Sequence, residues 1–191
     1  VYPTEGPEVD VKDPAREFDS WNLGENAGQT IPADAQDVIY TATYKDAADE
    51  NGDEVPDKYQ IKVTFDATVE GTIAGTDDQT QVIYLTKTND AGFAADVYPA
   101  EGPAVDVKDP AREFAGWNFG ENAGQTIPAD ATDVIYTATY KDAADENGDE
   151  VPDKYQIKVT FDATTEGTIA GTENQTQEIY LTKTNDAGFA A

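Results

Sequence analysis

Asp49-Glu50-Asn51-Gly52-Asp53-Glu54-Val55-Pro56-Asp57-Lys58-Tyr59-Gln60-Ile61-Lys62-Val63-Thr64-Phe65 changes character in its middle. Up to Asp57 it is acidic, carries Gly and Pro, and has no apolar period, so it reads as a turn or linker. From Lys58 it alternates. Tyr59, Ile61, Val63 and Phe65 fall on one face and Lys58, Gln60, Lys62 and Thr64 on the other, as in a strand with one wet side. A linker that hands straight into a strand marks the start of a module. The stretch returns unchanged at 145–161.

Working outward from it, the whole chain is two copies of one unit. Residues 1–95 placed over 97–191, a shift of 96, give 85 identities and ten mismatches without a gap. The sequence repeats are therefore 1–96 and 97–191. A unit of this length can bury a core of its own, at the small end of the domain range.

Composition excludes several functions. With 12 basic and 39 acidic residues the net charge is −27, a field that repels phosphate backbones and anionic lipid faces. No nucleic-acid partner and no membrane insertion are expected, and no apolar run approaches the ~20 residues of a spanning helix. There is no Cys and no His, and Ser20 is the single serine, replaced by Gly116 in the second copy. Neither a nucleophile–base pair nor a thiolate metal site can be assembled from that inventory, so no enzyme is expected. The chain lacks Met and opens mid-pattern at Val1, which reads as a piece of something longer.

The remaining strand candidates are Val9 to Lys12, Val38 to Lys45, a short one near Gly71, and Gln81 to Lys87, with their copies. Helix is limited to single turns around Pro14 to Glu17 or Phe93 to Ala95. The fold class is mainly β, as small modules strung like beads. Phe18 and Trp21, with Phe114 and Trp117, are candidate core anchors; the competing use of the tryptophans is a sugar-binding platform. Lys62 and Lys158 sit mid-strand, where an isopeptide crosslink is conceivable, but alternation puts them on the wet face.

Phe114-Ala115-Gly116-Trp117, Gly124, Ile127-Pro128-Ala129-Asp130 and Asp133-Val134-Ile135-Tyr136-Thr137-Ala138 together resemble the Listeria–Bacteroides repeat, the B-repeat type of internalin-like surface proteins. The first copy departs from the pattern at Ser20. The resemblance covers most of residues 58–141 and implies a β-grasp-like module opened by a strand like Ile61 to Phe65. It also implies secreted or wall-attached bacterial proteins in which such modules serve as stalk, spacer or adhesin segments. It supplies no catalytic residues. Its partners would be neighbouring repeats of the same protein and a host or cell-surface protein or glycan.

Two phases of the repeat follow. In the preferred one, 56–142 is a complete module, 1–45 the back half of a preceding one and 151–191 the front half of a following one, with acidic linkers at 46–57 and 142–153. The rival phase makes whole domains of 1–96 and 97–191.

The linkers carry the metal expectation. Asp49, Asn51, Asp53 and Asp57, and likewise Asp145, Asn147, Asp149 and Asp153, stand at loop positions one, three, five and nine of a calcium loop. Position six, where Gly is wanted for a positive φ, holds Glu54 or Glu150. Position twelve, where a bidentate Glu is wanted, holds Gln60 or Gln156. No cofactor is required. The alternatives are a calcium-stiffened joint and a flexible acidic linker.

Overall fold

A computed structural model describes residues 1–190. Ten strands, three short 3-10 turns and no α-helix make up the described residues, so the chain is mainly β. In order these are β1 (Arg16–Asn22), β2 (Thr41–Asp46), β3 (Gln60–Asp66), β4 (Gly71–Ile73), β5 (Thr80–Thr86), β6 (Val105–Val107), β7 (Arg112–Trp117), β8 (Val134–Asp142), β9 (Gln156–Asp162) and β10 (Thr176–Thr182). They form a four-stranded sheet of order β5-β3-β8-β7 and three two-stranded sheets, β1-β2, β10-β9 and β4-β6. The 3-10 turns are Asp57–Tyr59, Gly120–Asn122 and Asp153–Tyr155. Pro56 and Pro152 precede two of them, where a missing N–H costs nothing.

The chain divides into two compact units, each discontinuous in sequence. The first holds Val1–Val63, Ile83–Pro99 and Glu121–Val134; the second holds Thr64–Val82, Ala100–Gly120 and Ile135 onward. In the first unit the buried apolar residues are Ile61, Val63, Tyr98 and Ile127. Lys62 N–H donates to Asp133 Oδ1 at 2.8 Å, and Ile127 is tied by its N–H to Asp96 O and by its carbonyl to Thr88.

In the second unit the core is Phe65, Ala67, Ile73, Tyr136, Ala138 and Ala143. Phe65 is 3% exposed and meets Trp117 edge-on at 5.1 Å between ring centres, Tyr136 at 5.7 Å and Phe119 at 6.4 Å. Such tilted pairs add to the area each ring buries. The Tyr140 hydroxyl donates to Ala67 O, and β4 lies beside β6 with Gly71 opposite Val107. Glycine is needed at 71: a Cβ there would lie 2.4 Å from the Tyr140 hydroxyl and 2.7 Å from Val105.

Several expectations need correction. Val9 to Lys12 forms no strand, although its copy forms β6. The run from Val38 becomes a strand only at Thr41, whereas its copy β8 starts at Val134. The reason is sheet neighbourhood: β8 is hydrogen-bonded along both edges, β2 along one. Val38 and Ile39 are left 48% and 90% exposed. Pro14 to Glu17 leads into β1 and Phe93 to Ala95 is irregular, so neither is helical. Gln60, placed by alternation on the wet face, is buried because its amide turns to Asp53.

Identical residues thus have unlike surroundings, which yields a paired expectation. Phe65→Ala should cost ~3–5 kcal/mol, as for a buried ring, and Phe161→Ala, at a position 52% exposed, less than ~1 kcal/mol in dilute solution. Urea unfolding of the two variants against the parent checks this; equal losses would contradict the burial pattern.

Candidate functional site

The acidic loops fold upon themselves. Asp49 is the anchor of the first: its Oδ1 accepts from Gly52 N–H at 2.8 Å and its Oδ2 from Glu54 N–H at 3.0 Å. Gly52 and Glu54 both have positive φ, 71° and 70°. Left-handed backbone at Glu54 costs ~1–2 kcal/mol, and the carboxylate gripping its N–H offsets that cost. Asp53 Oδ1 accepts from Val55 N–H at 2.8 Å, and Asp53 Oδ2 accepts from the Asn51 and Gln60 amides, both at 2.8 Å. Asp57 closes the loop, taking Glu50 N–H at 3.0 Å and giving its own N–H to Ala48 O at 2.8 Å.

The closed loop is then clamped to the strands. Glu50 Oε2 accepts from the Tyr84 hydroxyl at 2.6 Å and from Lys62 Nζ at 3.1 Å, while Lys62 also lies over the Tyr84 ring. On the other side Ala47 N–H donates to Ala15 O and Lys58 Nζ to Arg16 O, which tie the loop to the β1-β2 hairpin. The second loop repeats this bond for bond. Asp145 holds Gly148 and Glu150, Asp149 holds Val151 and Gln156, and Asp153 holds Glu146 N–H. Glu146 meets Tyr180 at 2.8 Å and Lys158 at 3.0 Å, and Lys158 gains Glu178 at 3.3 Å, where the first copy has Val82.

These bonds set the local electrostatics. The Tyr84 hydroxyl, and then Lys62, hold the Glu50 carboxyl below its ordinary range; Tyr180 and Lys158 do the same to Glu146. Asp149 is lowered by the Gln156 amide and then by Val151 N–H. At Asp53 the largest single effect, burial, pushes up, but Val55, Gln60 and Asn51 together outweigh it. Lys158 is raised well above the usual lysine value by Tyr180, Glu146 and Glu178.

Each sequence-derived ligand set is therefore gathered into one loop, but its oxygens face the loop's own N–H groups. Among the described residues no group of three or more His, Cys, Asp or Glu side chains is arranged to hold a metal. One atom in each loop is left over. Gln60 Oε1 and Gln156 Oε1, at position twelve, are buried with no hydrogen-bond partner.

The other candidates resolve into packing. Trp117 Nε1 donates to Pro103 O at 3.0 Å, and the ring is covered by Gly102, Phe65 and Phe114. Trp21 repeats the contacts with Pro7 O, Gly6 and Phe18, but without the ring contact that Phe65 makes with Trp117. Lys62 and Lys158 reach Glu50 and Glu146. A cavity of about 730 Å³ belongs to the second unit and is lined by Lys108, Arg112, Lys154, Tyr155 and Lys183. Three of its four cations are engaged internally, Arg112 by Asp142 and Glu70, Lys108 by Val69 O and Lys154 by Arg112 O. No described helix is long and apolar enough to cross a membrane. No family model, curated protein or solved structure matches the chain.

Sequence reading missed the clamp. Glu50, Lys62 and Tyr84 carry no spacing signal, since they meet only through the fold. A depressed carboxyl contributes stability that is present above the ordinary range and lost as pH falls through its lowered value. The Glu50 side-chain carboxyl carbon should therefore keep its ionised NMR position through the ordinary carboxylate range and lose it only below that range. In Tyr84→Phe the loss should move to higher pH; an unmoved transition would show that Tyr84 does not hold Glu50.

Proposed function

We propose that the chain is a non-catalytic repeat segment of a secreted or wall-attached bacterial surface protein, acting as stalk, spacer or adhesin segment. The observation that carries this reading is the joint: both acidic connectors are folded, closed and clamped by the same bonds. A flexible tether needs none of them. A repeated rod needs all of them, because each joint must fix the direction of the next module. The resemblance of Phe114 to Ala138 to the Listeria–Bacteroides repeat supports the same reading. In it the modules are β-grasp-like, with 56–142 complete and 1–45 and 151–191 as halves of neighbours. The dense negative charge keeps such a rod soluble and its copies apart.

Small-angle scattering is the test. The parent should give a single narrow distribution of maximum dimension. Tyr84→Phe with Tyr180→Phe and Glu50→Gln with Glu146→Gln should give a broader distribution of maximum dimension with the strand content unchanged. A parent already as broad as the variant would remove the stalk reading.

A second reading, a calcium-stiffened joint, is favoured by the orphan Gln60 and Gln156 oxygens, because buried polar atoms without partners are rare. Asp49, Asn51, Asp53, Asp57 and Gln60 would hold the ion in one loop, and Asp145, Asn147, Asp149, Asp153 and Gln156 in the other. Calcium would neutralise loop charge and supply oxygen-directed rigidity. Calorimetry should show binding at ~10⁻⁴–10⁻³ M in the parent, lost in Asp53→Ala with Asp149→Ala. Absence of heat in the parent, or heat unchanged in the variant, would remove this reading.

A further inference from the structure

The same residues are buried in the middle of the chain and exposed at its ends. Ile61 and Phe65 are 1% and 3% exposed, and their copies Ile157 and Phe161 are 50% and 52%. Ile127 is sealed at 0%, and its copy Ile31 stands at 49%. Two strands come and go in the same way. Gly71-Thr72-Ile73 and Val105-Asp106-Val107 pair as β4 and β6, whereas the identical Gly167-Thr168-Ile169 and Val9-Asp10-Val11 form no strand. Local propensity cannot separate identical segments, so the difference lies in what each has beside it.

What the middle segments have beside them is on the page. Lys62 N–H reaches Asp133, Ile127 bonds to Asp96 and Thr88, Phe65 packs on Trp117 and Tyr136, and β4 takes β6. In every pair one member comes from 56–96 and the other from 97–142. Residues 151–190 repeat the first set and residues 1–46 repeat the second, each without its counterpart. Both carry an unpaired strand edge and an apolar face shaped by sequence for a known complement.

We infer that this face is an interaction surface for a second copy of the chain: residues 151–190 of one copy seat on residues 1–46 of another and rebuild the arrangement seen between 56 and 142. The occupant is specified by residues. Phe161 would meet Trp21 and Tyr40, Lys158 N–H would meet Asp37, and Gly167 to Ile169 would pair with Val9 to Val11. The contact uses different surfaces on the two copies, so it propagates head to tail into open chains. It rests on the phase of the proposed function, 56–142, with a second copy supplying the half that a neighbouring repeat supplies there. Both segments are acidic, 1–46 with ten acids against three bases and 151–190 with six against three, so salt should strengthen the pairing.

Trans-complementation tests it. Phe161→Lys disables one surface and Ile31→Lys the other, both at exposed positions that leave the middle untouched. By sedimentation at high salt, from micromolar to millimolar chain, the parent mass should climb from 20.5 kDa through successive multiples. Each variant alone should stay at 20.5 kDa, and an equimolar mixture should stop at twice that value. A parent that remains monomeric over the whole range overturns the inference. So does a variant that associates like the parent, or a mixture that stays monomeric. Small-angle stiffness of the isolated chain, which tests the stalk reading, is read below the association range and can fail separately.

Discussion

An apolar strand face must be covered, and in this chain what covers it comes from the other copy of the repeat. The alternation from Ile61 to Phe65 produces a face that the single hairpin β3-β5 cannot seal, since a two-stranded sheet in water is marginal. Phe65 becomes core only because Trp117, Phe119 and Tyr136 close around it. The rest follows from that dependence. β8 is long where it has β3 alongside, and its copy β2 is short. β4 and β6 exist only as a pair.

The acidic loops answer a second constraint. Asp49-Glu50-Asn51-Gly52-Asp53-Glu54 crowds four like charges into six residues, and they repel one another. The fold answers with local acceptors. Asp49 and Asp53 take the N–H groups of the tight turn, and Glu50 is held against the strand by Tyr84 and Lys62. These groups are exposed, so each bond is worth little alone; they act as a set. Lowered carboxyl values are the electrostatic trace of that set. Charge that would disorder a linker is here turned inward to shape it.

Much of the fold was legible. Periodicity gave β3 and β5 because Ile61, Val63 and Phe65 alternate, and self-comparison gave the repeat. What stayed hidden depended on neighbours. Nothing in Val9-Asp10-Val11 distinguishes it from Val105-Asp106-Val107, yet one is a strand and the other is not. The spacing brings the loop residues into one loop each, but the direction of their oxygens is not legible, because Asp49 can serve a cation or a backbone N–H with the same atoms. Residue type argues against positive φ at Glu54, and the Asp49 carboxylate makes it fit. Gln60 was assigned to water, and Asp53 draws it in.

The central claim is that identical segments differ only by what covers them. Residue-resolved hydrogen exchange on a dilute monomer tests it most directly, with each amide compared to its counterpart 96 residues away. The account predicts strong protection at Ala74, Lys108 and Ile127, whose N–H groups bond to Ala104 O, Glu70 O and Asp96 O, and fast exchange at Ala170, Lys12 and Ile31. Equal protection within these pairs would contradict it, since each repeat would then cover its own core.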